Sequence, residues 1–233
     1  TLDPVTPMPI LTPTPTLTPV PRPLPTSSLT GQRAAVELFF SSLEQGGAGV
    51  LRVTGAGLAG CSVRFIVQVV DCFAVPNDGY FALVSVNMEQ NARQYPLDVF
   101  AWFDDTKRET ISGQIEVTGA GFIQQNVDLA PDKTYLIDPE IERTELARLE
   151  SIFGETTPEM LWAGQGFQLP ILGSELTSPF GAFRTFNASF QTRHTGWDIR
   201  AALGQPIMSS GAGKVAYAGL MEIRGNVVII DHG

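Results

Sequence analysis

The chain holds two histidines in 233 residues, and one of them, His194, stands four positions before an aspartate in the run Arg193-His194-Thr195-Gly196-Trp197-Asp198-Ile199. An imidazole and a carboxylate are both suitable zinc donors, binding at about 2.0–2.2 Å. Whether this pair can meet depends on the backbone between them. A helix would place positions four apart on one face, but Gly196 and its aromatic and β-branched neighbours disfavour a helix here. A fully extended strand would also align the two side chains, yet four steps of about 3.3 Å hold their backbones roughly 13 Å apart, too far for one metal. Gly196 offers a resolution, because a residue without Cβ can take the bulge or turn geometry that folds the chain between His194 and Asp198. In isolation the same pair also fits an ordinary surface hydrogen bond.

The neighbouring residues carry more information than the pair alone. Ser178-Pro179-Phe180-Gly181-Ala182-Phe183-Arg184 precedes it; Ala201-Ala202-Leu203-Gly204-Gln205-Pro206-Ile207, Gly211-Ala212-Gly213-Lys214-Val215 and Arg224-Gly225-Asn226-Val227-Val228-Ile229-Ile230-Asp231-His232-Gly233 follow. In order and spacing these blocks resemble the first half of the LytM-type, lysostaphin-like (M23) zinc metallopeptidase domain, over about residues 177–233. The resemblance implies His194 and Asp198 as the first two zinc ligands, Zn2+ as the cofactor, and an antiparallel sheet whose groove holds an extended peptide. The family's third ligand and its general base come from later Tyr-x-His-like and His-x-His segments. Neither is present, so no catalytic residue is assigned within the chain. The general base is expected beyond Gly233, and the 233-residue chain is expected to be a C-terminally truncated, inactive fragment of an active parent.

Other chemistry in this region is less well supported. His232 falls at a family position that is not a ligand and reads as a structural histidine at a strand end. A Ser/His/Asp arrangement lacks a Gly-x-Ser-x-Gly elbow to present its nucleophile. Arg184 is open between a substrate carboxylate and a structural ion pair. The remaining signals are structural: Phe180-Gly181, Gly204-Gln205-Pro206, Gly211-Ala212-Gly213 and Gly225-Asn226 mark turns, Val227–Ile230 a buried strand, and Pro206–Ser210 and Lys214–Tyr217 two adjacent strands.

Upstream, the chain changes character twice. Residues 1–26 alternate Thr and Pro, and repeated proline fixes φ and removes donors, predicting a semi-rigid spacer without a core. From Ala34 to Tyr135 short alternating runs, at Val50–Val53, Ser62–Val67, Tyr80–Val86, Tyr95–Trp102 and Thr110–Val117, predict an antiparallel sandwich. Likeness of this sandwich to the immunoglobulin-like modules found ahead of secreted metallopeptidase domains is analogy of fold only. Val53-Thr54-Gly55-Ala56-Gly57-Leu58 and Val117-Thr118-Gly119-Ala120-Gly121-Phe122 read as two equivalent strand-to-turn corners. Ile141, Leu146, Leu149 and Ile152-Phe153 lie near helical spacing after Asp138-Pro139, predicting a connecting helix.

Composition bounds the partners. Fifteen Lys and Arg against 24 Asp and Glu give a net charge of -9, which argues against a nucleic-acid backbone or an anionic membrane surface. No apolar run reaches the length of a transmembrane helix. The start at Thr1, with no Met and no signal-like segment, suggests that a targeting segment or an upstream anchor is missing. Cys61 and Cys72 leave two readings open, a disulfide or two buried thiols.

The fold expected is therefore mainly β: a Thr/Pro-rich linker at 1–30, an immunoglobulin-like β-sandwich at 31–138, a helical connector at 139–176 and the incomplete antiparallel β-sheet peptidase domain at 177–233. The function implied is an extracytoplasmic, secreted or surface-tethered zinc metalloendopeptidase whose partner is the cross-linking peptide of bacterial peptidoglycan. The alternative is a non-catalytic M23-like regulator or cell-wall-binding protein; a third reading is an adhesin using the sandwich.

Overall fold

The computed structural model describes residues 23–155, 157–162 and 166–233; the Thr/Pro alternation from 1 to 22 lies outside them. Ser27–Thr30 (β1), Ala34–Leu38 (β2), Ser42–Glu44 (β3), Ala48–Gly55 (β4), Leu58–Phe65 (β5), Gln68–Asp71 (β6), Phe73–Val75 (β7), Gly79–Ser85 (β8), Arg93–Phe103 (β9) and Arg108–Thr118 (β10) build two five-stranded sheets. One sheet runs β1-β2-β4-β8-β7 and the other β3-β10-β9-β5-β6. All neighbours are antiparallel except β3 and β10, which pair in parallel. Period-two alternation explains the packing: along β9, Tyr95, Leu97, Val99, Ala101 and Phe103 all point inward and are at most 5% exposed. They meet Val36, Leu51, Val53 and Val63, each fully buried, in the single large core.

The Gly55–Leu58 corner carries the chain from β4 in one sheet to β5 in the other, with Gly57 at φ +68°. The β5 expectation needs one correction. Ile66 and Val67, read as strand, form the two-residue turn of the β5–β6 hairpin, with Ile66 at φ +57° and Phe65 opposite Gln68. That hairpin brings the cysteines together: Cys61 and Cys72 form a disulfide with their Cα atoms 5.3 Å apart. The thiol alternative fails because the turn folds β6 back alongside β5.

After the sandwich the chain enters Gln124–Val127 (β11), then a 3-10 turn at Pro131–Ile137 and the helix Pro139–Phe153 (α1). Asp138 caps α1, its carboxylate accepting from the Glu140 and Ile141 amides at 2.8 and 3.3 Å, and Pro139 occupies the first turn where no donor is needed. The last segment holds Leu176–Ser178 (β12), Phe183–Phe186 (β13), Phe190–Arg193 (β14), Asp198–Ile199 (β15), Lys214–Met221 (β16) and Gly225–Asp231 (β17). β16 and β17 form an antiparallel hairpin, and α1 docks on it: Arg224 bridges to Glu142 at 2.8 Å and to Glu145 at 2.6 Å.

Pro206–Ser210 does not form the strand beside β16 that its alternation suggested. It runs without regular pairing, with Met208 and Ser210 bonded instead to Pro170 and Gln168. Two turn signals enclose too short a run for a ladder, and its backbone groups are taken up by the 168–170 segment. Among the described residues no helix is long and apolar enough to cross a membrane.

Candidate metal centre

His194 and Asp198 converge: His194 Nε2 lies 3.1 Å from Asp198 Oδ1. The chain bends between the end of β14 and the start of β15, through Thr195, Gly196 and Trp197. The bend is where the sequence placed it, but glycine is not needed there for a left-handed backbone, because Gly196 is not among the residues with positive φ. Nor is it needed for space. A Cβ on Gly196 would stand 3.8 Å from His194 Nε2, its nearest neighbour.

A second, parallel bend holds the first in place. Residues 176–186 act as a spine for both donors: β12 pairs with β15, setting Ser178 opposite Asp198, and β13 pairs with β14, setting Phe183 opposite Arg193. Between these ladders the spine turns at Pro179-Phe180-Gly181, with Gly181 at φ +80°. The Gly181 amide donates to the His194 carbonyl at 2.7 Å, and the His194 amide donates to the Ala182 carbonyl at 2.8 Å. Gly181 is also required by packing, because a Cβ there would fall 2.1 Å from the Phe122 ring. Phe180 reaches the sandwich, where a Cβ on Gly46 would meet its ring at 2.6 Å, and Arg193 bonds Glu89 at 2.8 Å. The Phe-Gly pair thus does more than mark a turn.

Each donor is oriented by a further partner. His194 Nδ1 lies 2.9 Å from the Pro179 carbonyl, which can only accept, so Nδ1 carries the proton and Nε2 faces Asp198. Asp198 Oδ2 is paired with Arg184, leaving Oδ1 to face the imidazole. Of the two readings open for Arg184, the structural ion pair is the one found. Arg184 Nη2 also donates to Ser178 Oγ at 2.9 Å, and Gln125 Oε1 accepts from Ser178 Oγ at 2.9 Å and from Arg184 Nε at 3.3 Å. Sequence reasoning missed Ser178 and Gln125 as supports. Ser178 sat in a quoted block, but Gln125 had no signal beyond a polar Gln124-Gln125-Asn126 run.

The donor set fits half of a zinc site. Two donors each about 2.1 Å from a shared ion at a tetrahedral angle are roughly 3.4 Å apart, close to the separation found. Among the described residues no group of three or more His, Cys, Asp and Glu side chains that could hold a metal is formed. His232 is engaged elsewhere: its Nδ1 donates to the Ala212 carbonyl at 2.8 Å, and Phe167 meets its ring edge-on at 5.0 Å. A cleft of about 710 Å³ opens on the His194 side of the pair, lined by Leu146 and Glu150 of α1 and by His194, Thr195 and Phe190. A similar cleft of about 700 Å³ is lined by His232 and Trp162 and holds neither donor, while Asp198 lines a separate hollow of about 510 Å³ with Ser178, Arg184 and Gln125.

The peptidase family M23 model matches residues 192–233, a span that opens two residues before His194 and leaves the Ser178–Arg184 block outside it. A curated relative, the cell division protein DipM of Caulobacter vibrioides, is 35% identical over 86 residues, or 36% of this chain. The chain spans 13% of the length of that relative. A crystal structure of a Pseudomonas aeruginosa protein assigned to peptidase M23 superimposes with a TM-score of 0.52 at 20% identity, covering 81% of this chain and 68% of that one. At that identity the likeness is one of fold. The C-terminal segment that carries His194 and Asp198 is thus similar to peptidase family M23.

Proposed function

We propose that His194 and Asp198 are two protein ligands of a catalytic zinc in an extracytoplasmic endopeptidase that cleaves the peptide cross-links of bacterial peptidoglycan. The observation that carries this reading is the 3.1 Å approach of Nε2 to Oδ1, with each group's other polar atom already committed to the Pro179 carbonyl or to Arg184. Two lone-pair donors so placed attract a shared cation. When bound, zinc supplies a water whose pKa falls to about 7 and a Lewis acid for a carbonyl oxygen.

The protein's own residues supply orientation. The Pro179 carbonyl fixes the imidazole tautomer, Arg184 fixes the carboxylate, and the cleft lined by α1 and β14 would take the substrate peptide beside His194. The Cys61–Cys72 disulfide supports an oxidising compartment, and the net charge of -9 favours neither nucleic acid nor an anionic membrane as partner. Kinship with a cell division protein agrees with a cell-wall substrate.

The test is release of new amino groups from purified peptidoglycan by the full-length protein. His194→Ala should abolish release while the fold, followed by circular dichroism, is kept; an unchanged rate rejects the metal assignment. Binding of peptidoglycan without any release by the unaltered protein would favour the non-catalytic alternative. For the 233-residue chain alone, which brings two such donors together, we predict weak zinc retention and no cross-link hydrolysis.

A further inference from the structure

We propose that Gln125 is a positioning residue for the metal centre, so that the strand leaving the upstream sandwich sets the orientation of Asp198. The inference rests on the zinc reading above. β11 follows the last sandwich strand, yet it pairs in parallel with β13, and this register puts Gln125 opposite Arg184 on the same face. The hydrogen-bond bookkeeping then closes around one amide oxygen.

Gln125 Oε1 accepts from Arg184 Nε at 3.3 Å and from Ser178 Oγ at 2.9 Å, using both of its lone pairs. Arg184 Nε can only donate, which fixes the amide with its oxygen toward the site. Arg184 Nη2 has two hydrogens, and its two partners are Ser178 Oγ at 2.9 Å and Asp198 Oδ2. Gln125 thus holds the guanidinium directly and again through Ser178, and the guanidinium holds one carboxylate oxygen.

The arrangement matters because Asp198 is poorly held otherwise. Its side chain is 50% exposed, while the Arg184 side chain is 19% exposed and Ser178 is 5% exposed. An exposed carboxylate swings freely unless it is pinned, and a free rotor must lose that freedom on binding a metal. Removing Gln125 releases Arg184 Nε and the Ser178 hydroxyl together, and with them the pin on Oδ2. Oδ1 then no longer waits at 3.1 Å from Nε2.

The experiment uses the 233-residue chain, whose two histidines give two resolvable imidazole spin systems in long-range 1H–15N spectra. Zn2+ is titrated into the unaltered chain, Gln125→Met and Gln125→Glu, with His232 as the internal reference. Removal of an outer-shell partner typically weakens a metal site about 10–100-fold. Gln125→Met should therefore raise the zinc midpoint at His194 at least about tenfold. Gln125→Glu keeps an acceptor for Ser178 and Arg184 and should stay close to the unaltered chain. A merely structural role would lower the melting temperature of Gln125→Met and leave its midpoint unchanged, and that result overturns the proposal. If Gln125→Met fails to fold, Gln125→Ala replaces it under the same criterion. If zinc shifts His194 of the unaltered chain no more than His232, the zinc reading itself fails and takes this inference with it. A normal titration of the unaltered chain beside an unchanged variant overturns the role of Gln125 alone.

Discussion

Replacing Gly181 by alanine should loosen His194 without touching either donor. Two costs add. Gly181 sits at φ +80°, a conformation that costs a residue with Cβ about 1–2 kcal/mol. The new methyl would also fall 2.1 Å from Phe122 Cε1, so the ring must move, and overpacking of this kind costs about 1–3 kcal/mol. Together the penalty is roughly 2–5 kcal/mol, concentrated in a turn whose amide donates to the His194 carbonyl at 2.7 Å. Native-state hydrogen exchange reads this locally. The amides of Gly181 and His194 should open with a free energy lower by at least about 2 kcal/mol, or exchange roughly 30-fold faster. Amides in β9, inside the sandwich core, should be unaffected. In Gly181→Ala/Phe122→Ala the ring clash disappears and the φ penalty remains, so part of the protection should return. Unchanged exchange at His194 in Gly181→Ala would refute the idea that the Phe-Gly turn holds the histidine.

Three further predictions follow from the same geometry. Cys61→Ser/Cys72→Ser opens a loop of sequence separation 11 and should cost the sandwich about 3 kcal/mol in urea unfolding; no loss would contradict the bridge. Burial pushes the Glu145 carboxyl up, but the Ile223 amide and the Arg224 guanidinium outweigh it and hold the group below its ordinary value. Its contribution is therefore full above the unfolded glutamate pKa and lost as pH falls through the lower folded value. Melting curves below about pH 4.5 should fall less steeply for Glu145→Gln than for the unaltered protein, and parallel curves would deny the clamp. Gly196→Ala should leave the melting temperature nearly unchanged, since φ there is ordinary and the new methyl stands 3.8 Å from Nε2; a large loss would show that glycine is needed for its backbone after all.

The features legible in the sequence were those written in local patterns. Alternation over Tyr95–Trp102 marks β9 because one side of the pleat must be buried, and Asp138-Pro139 marks the start of α1 because a carboxylate cap and a donor-free first residue suit it. The bend between His194 and Asp198 was legible once the resemblance made them ligands of one metal, because a straight strand would hold them roughly 13 Å apart. What escaped depends on tertiary pairing. Ile66-Val67 looks like strand by residue type, yet the disulfide-linked hairpin turns there. Pro206–Ser210 alternates like a strand but bonds to the distant Gln168 and Pro170 rather than to β16. Gln125 lies 59 positions from Arg184 in sequence, and only the parallel ladder of β11 with β13 brings them together.

The most direct test of the central claim is a crystal soaked in Zn2+ and measured at the zinc absorption edge. The account predicts an anomalous peak about 2.0–2.2 Å from both His194 Nε2 and Asp198 Oδ1. A peak at His232 instead, or a native structure in which the two side chains point apart, would contradict it.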